Sequence, residues 1–175
     1  MTGQYDFRNC QSLFGYAEAV HRRSGGICQL CGCGGGHDVD FDLWRQMTVE
    51  HIIGSSQGGY FHQIKEAVAK RFPELSDGEQ DSLSRRIDEA NTKTACHFCN
   101  STTSRAHHHR SMGELIAGAT GTPEELVASV TRELTAIFEK KRETAQWKVG
   151  SVKSAFEAQV KPELLKASGR KDGST

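Results

Sequence analysis

Six cysteines stand at positions 10, 28, 31, 33, 96 and 99, and four of them form two Cys-x-x-Cys pairs, Cys28/Cys31 and Cys96/Cys99. Two short-range pairs of soft thiolates, each on its own turn, can close a tetrahedral Zn²⁺ site with Zn–S bonds near ~2.3 Å. An even cysteine count also fits disulfides in a secreted chain. The first 30 residues, however, hold Asp6, Arg8, Glu18 and Arg22 and no apolar leader stretch, so metal is the better reading. A redox Cys-x-x-Cys, or thiols buried as small hydrophobes, would leave the pair of pairs unexplained. Cys33 offers a rival ligand through Cys31-Gly32-Cys33, and Cys10 reads as a buried or idle thiol. A structural zinc on Cys28, Cys31, Cys96 and Cys99 is therefore the expected centre.

Other chemistry-bearing residues cluster between and beside these pairs: Glu50-His51, Asn91, Asn100, and the run His107-His108-His109-Arg110. With an ordinary pKa near ~6.5, the imidazole of His51 is suited to take a proton from water at neutral pH. Glu50 precedes it on an apparent strand, where neighbours point to opposite faces, so the strand must end or twist there for both to serve one site.

The elements that must position these groups follow from periodicity and punctuation. Residues 10–24 read as a helix, with Leu13, Phe14, Ala17 and Val20 on one face and Gly25-Gly26 ending it. Gly32 to Gly36 reads as loop, and it lacks the Lys-Ser/Thr of a phosphate loop. Residues 43–53 are rich in β-branched and apolar types and predict a strand, turned by the glycines and serines of 54–59. A helix over 60–72 carries Phe61, Ile64, Val68 and Phe72, and a second starts at Ser76, whose capping-box partner is Glu79, and carries Leu83 and Ile87. A third helix is expected over about 99–110, then a break rich in glycine (Gly113, Gly118, Gly121). Thr122-Pro123-Glu124-Glu125 starts another helix, with Leu126, Val130, Leu134 and Ile137/Phe138 as its stripe. A last helix over about 151–167 uses Val152, Phe156 and Val160 and is disturbed by Pro162. Residues 168–175 are small and polar, and disorder is expected there.

The 175 residues are 36% hydrophobic with 18 glycines, which supports a modest core and excludes wholesale disorder. This length fits one domain with an appendage. No apolar run approaches the ~18 residues of a bilayer span, so a soluble, cytoplasmic protein with no membrane partner is expected. Twenty-two basic residues balance 22 acidic ones, which argues against a protein that coats nucleic acid by bulk charge. Contact with nucleic acid would have to come from local surpluses, and basic residues do exceed acidic ones just after Asn91 and in the tail.

Taken in order, the Gly-Gly-Ile27-Cys28-Gln29-Leu30-Cys31-Gly32 lead-in, Val49-Glu50-His51-Ile52, Asn91, and Cys96-His97-Phe98-Cys99-Asn100 resemble the HNH nuclease superfamily over residues 15–110. The resemblance implies an α+β fold, a ββα-metal core braced by the double knuckle. The nuclease domain would occupy residues 1–112 with an inserted helical pair, followed by a helical extension over 113–167 and a tail over 168–175. It implies His51 as general base, Asn91 pinning the loop that orients it, and Glu50 with the side-chain oxygen of Asn100 holding a catalytic metal. Two hard oxygen donors favour Mg²⁺ or Mn²⁺ there. The implied reaction is metal-dependent hydrolysis of DNA phosphodiesters, in a restriction, phage-encoded or mobile-element setting. The C-terminal helices would add DNA contact or pair two subunits into a homodimer. Arg105, His107 and Arg110 are the expected phosphate contacts, with a solvated polar run as their alternative. Arg85-Arg86 and Lys140-Lys141-Arg142 read as solvated helix faces. A non-catalytic zinc-braced nucleic-acid-binding module and an RNA endonuclease are the rival readings.

Overall fold

The structure, a computed structural model, describes residues 17–34, 41–103 and 107–169. Cys10, Arg105 and the tail beyond Gly169 lie outside the described residues. The fold is helix-rich around one small sheet, two antiparallel strands paired Met47↔Cys96 through His51↔Thr92. The elements in chain order are α1 (Ala17–Arg23), α2 (Phe41–Trp44), β1 (Met47–His51), α3 (Phe61–Arg71), α4 (Asp77–Asn91), β2 (Thr92–Cys96), α5 (His97–Thr103), α6 (Met112–Gly118), α7 (Pro123–Ala155) and α8 (Lys161–Ala167).

Strand alternation divides the sheet into two faces. Thr94, opposite Val49, faces α1, where its Oγ1 meets His21 Nδ1 at 2.9 Å and accepts from Ser24 Oγ at 2.7 Å. Thr48 and Glu50, with Lys93 opposite Glu50, face α5 and α7. Asn100 of α5 donates to Thr48 Oγ1, and Lys93 Nζ stands 5.8 Å from the centre of the Phe138 ring of α7. One buried cluster runs from Cys28 and Leu30 through Ile52, Ile53, Ile64, Val68 and Ile87 to Met112, Ile116, Leu126, Leu134 and Ala145. Helices α6 and α7 therefore share the core of the sheet and the knuckles.

Several expected boundaries are corrected. The strand occupies 47–51, not 43–53, because Phe41–Trp44 forms a helical turn closed by Arg45 on Asp42 Oδ1 (2.8 Å), and Ile52-Ile53 turn into the core. The helix beginning at the second knuckle is described over His97–Thr103. By His108 the backbone has left the helix, and its N–H and C=O bond the side-chain amide of Gln57 at 2.9 and 2.7 Å. The glycine-rich stretch after 112 holds helix α6, started by a Ser111–Glu114 capping box. No break separates the last two helical patterns: α7 runs 33 residues to Ala155 and passes through a π-helical turn, Phe156–Val160, into α8. Pro162 has no N–H and its ring crowds the preceding turn, which accounts for the widened turn just before it. This last stretch lies open, with Val152, Phe156, Val160 and Leu164 all exposed at four-residue spacing. Among the described residues no helix is long and apolar enough to cross a membrane.

Candidate functional site

The sulfurs of Cys28, Cys31, Cys96 and Cys99 lie within 4.8 Å of one another. A tetrahedron with ~2.3 Å metal–sulfur bonds has edges of ~3.8 Å, and Cys31 Sγ and Cys96 Sγ are 3.9 Å apart, so the four fit a metal such as zinc. The first knuckle is a tight turn in which Gly32, at φ 81°, donates its N–H to Cys28 O at 2.8 Å. Gln29 docks it on β2, donating its N–H to Thr94 O at 2.9 Å and accepting from Thr94 N at 3.1 Å. The second knuckle is built by the junction itself: Cys96 ends β2 and Cys99 lies in the first turn of α5. Four adjoining thiols cannot all ionise without a cation. A hydrogen bond from Cys96 holds Cys28 down to about 4, that same bond pushes Cys96 up, and burial followed by the Cys28 charge raises Cys99. Cys33, the rival ligand, stands outside the four and gives the knuckle its carbonyl, accepting from Cys28 N at 2.8 Å; burial pushes its thiol up to about 12.

On the opposite side of β1 the other candidates gather. Asn91, fully buried at the end of α4, accepts from Ile53 N at 2.9 Å and donates to Ile53 O and Gly59 O at 3.1 and 2.8 Å; its own carbonyl accepts from Ile52 N at 2.8 Å. One side chain thus closes the turn between His51 and Tyr60. A Cβ at Gly59 would fall 1.7 Å from Ile53 O, so only glycine permits this approach. The closed turn folds Tyr60 back onto His51, with ring centres 4.6 Å apart. Replacing Asn91 by Ala strands buried backbone groups that no water reaches, and should cost ~2–4 kcal/mol in urea unfolding with the slope unchanged. A loss below ~1 kcal/mol would show that the turn closes without it.

Asn100 also binds β1, its Nδ2 donating to Thr48 Oγ1 at 2.8 Å and Val49 O at 3.2 Å, so it lies on the strand face that carries Glu50. Glu50, 1% exposed, accepts from Lys141 Nζ at 2.6 Å, and Lys141, 4% exposed, reaches His51 O at 3.4 Å. The reading of Lys140-Lys141-Arg142 as one solvated face is therefore corrected. Lys140 and Arg142 are exposed while Lys141 is buried, in line with Leu126, Val130, Leu134 and Phe138. Burial raises the Glu50 carboxyl above its usual range, against the opposing pull of the lysine charge. Burial, then the Lys141 charge, lowers His51 to about 4, so its imidazole is neutral at pH 7 and able to accept a proton, at the cost of weaker basicity.

His108 is the histidine of its run that enters this region: Nε2 stands 3.1 Å from Ile52 O, and burial with the charge of Lys141 lowers its pKa. His107 is exposed, and Arg110 donates to Glu114 O at 3.0 Å at the edge of α6. His108, Lys141 and Tyr60, which packs on His51, are site residues that the sequence reading did not assign. Lys141 continues the apolar stripe of α7, which is a legible signal; nothing in the histidine run singles out 108 before Gln57 is placed.

A hard divalent cation does not fit at Glu50 in this arrangement. The carboxylate already holds a cation, the ammonium of Lys141, 2.6 Å from its Oε1. Comparisons with protein-family models, with curated proteins and with solved structures find no match to this chain.

Proposed function

We propose that this protein is an HNH-type endonuclease that hydrolyses DNA phosphodiesters, with His51 as general base and zinc as the ion of its four-cysteine cluster. The observation that carries the reading is the placement of Glu50-His51 at the end of β1, beneath a turn latched by Asn91 and beside Asn100, on a strand pair whose partner strand runs directly into the second knuckle. In this reading a neutral His51, held against Tyr60, takes the proton of the attacking water as its oxygen bonds to phosphorus; the bond from phosphorus to the leaving sugar oxygen breaks, and that oxygen takes a proton from solvent. Asn91 acts only by shaping the turn. Of the expected phosphate contacts, His107 is exposed and suits the role, whereas Arg110 is partly engaged on α6. The exposed line Val152, Phe156, Val160 and Leu164 is where two copies would pack if paired sites are needed for a double-strand break.

The test is conversion of supercoiled plasmid with and without added Mg²⁺ or Mn²⁺, with RNA of the same sequence alongside. Cleavage should fall at least ~100-fold in His51→Ala, the usual range for losing a general base. Intact plasmid with retained binding in a gel shift would overturn the reading in favour of a non-catalytic nucleic-acid-binding module. Cleavage of RNA alone would move the substrate class.

A further inference from the structure

We propose that Lys141 is the resident cation of Glu50 and excludes divalent metal from the candidate site, so that the positive charge beside His51 is carried on helix α7. The chemistry this charge would serve rests on the nuclease reading above; the metal exclusion itself does not.

Two observations carry the inference. The first is the contact: Lys141 Nζ lies 2.6 Å from Glu50 Oε1, a short charge-assisted hydrogen bond, with both side chains almost wholly buried. A surface lysine that happened to reach a carboxylate would keep most of its ammonium in water; this one has none to return to without moving a helix. The second is the anchoring. The same ammonium reaches His51 O at 3.4 Å, and two turns further along α7 Lys148 Nζ donates to Thr102 O of α5 at 2.7 Å. Leu134, Phe138 and Ala145 on the same stripe are buried in the core, so the helix cannot slide to withdraw position 141 alone. A divalent ion at Glu50 would need the space and the charge that the ammonium occupies. Mg²⁺ and Mn²⁺ also demand several oxygen donors, and Asn100 turns its amide nitrogen to β1, leaving at most its one amide oxygen to join the paired carboxylate. Lys141 is accordingly a positioning residue: it fixes the Glu50 carboxylate and the His51 carbonyl, and thereby the end of β1.

The experiment uses the full chain with its cysteine-bound metal in place and Mn²⁺ alone as the probe, following free Mn²⁺ by its paramagnetic resonance signal. Wild type should take up no Mn²⁺ that depends on Glu50 at sub-millimolar concentrations. Lys141→Ala should gain one Mn²⁺ per chain, at least tenfold tighter than any wild-type uptake, and the added Glu50→Gln change should abolish the gain. Lys141→Arg should still exclude the ion. Glu50-dependent Mn²⁺ binding by wild type overturns the inference, as does a folded Lys141→Ala chain that gains nothing. Lys141→Gln, which keeps a polar donor, serves if Lys141→Ala does not fold. If neither folds, wild type compared with Glu50→Gln decides alone: a difference in Mn²⁺ uptake overturns the inference and equality upholds it. A chain that gains Mn²⁺ in Lys141→Ala but never cleaves DNA keeps this inference and loses the nuclease reading.

Discussion

Removing the metal from the four-cysteine cluster should unfold the sheet side of this protein, lowering the thermal transition by at least ~10–20 °C. The two knuckles belong to separate parts of the chain, Cys28-Cys31 docked by Gln29 on Thr94 and Cys96-Cys99 by the end of β2 and the start of α5, and the cluster ties them together. Without an ion, four thiols within 4.8 Å of one another must hold mostly protons in a buried space. Structural zinc binds small domains with ~10–16 kcal/mol of apparent free energy, as much as a whole domain's usual ~5–15 kcal/mol of stability. A net loss of even ~5 kcal/mol translates to ~10–20 °C at ~2–4 °C per kcal/mol for a chain of this size. Elemental analysis should find one zinc per chain in wild type and in Cys33→Ser, and little in Cys99→Ser. Chelator should shift the transition of wild type, and added Zn²⁺ should restore it. A transition indifferent to chelator would mean that the thiols act only as small buried hydrophobes.

The second large effect concerns the pair on the other face of β1. Glu50→Gln strands a buried ammonium, and Lys141→Met strands a buried carboxylate, so each single change should cost ~3–5 kcal/mol in urea unfolding of the metal-replete protein. The double change removes both charges and replaces them with groups of similar length. It should recover most of that loss, giving a coupling of ~2 kcal/mol or more in the double-mutant cycle. Additive single losses would mean that the two side chains are near one another without depending on one another. The i,i+4 pair Arg85–Asp81 on α4, 2.8 Å apart and open to solvent on the arginine side, is a control and should show a coupling below ~1 kcal/mol.

The parts of the molecule legible in sequence are those specified by residues close together in the chain. The Ser76–Glu79 box, Pro123 after Thr122, and the four-residue spacing of Leu126, Val130 and Leu134 each report a local energy, and the helices they predict are present. The two cysteine pairs were legible for a related reason, since each pair sits on one turn and only their meeting required the fold. What escaped was non-local. Strand β2 is five residues wedged between a helix and a knuckle with no turn residue to mark it, and it is a strand only because β1 lies beside it. The helical reading fails by His108, where Gln57, distant in sequence, takes both backbone groups. Lys141 is the instructive case. Three residues after Phe138 and four before Ala145, it lies squarely on the buried stripe, so a charge inside an apolar pattern was visible; its partner, 91 positions away, was not.

That separation orders events during synthesis. A ribosome releases Glu50 long before it releases Lys141, so the carboxylate has no lysine partner until the long helix has been made. Only the later arrival of the long helix seals it. A polypeptide cut short before that helix would lack the lysine partner of Glu50 together with Leu126, Leu134 and Ala145, its share of the core beneath the sheet and the knuckles.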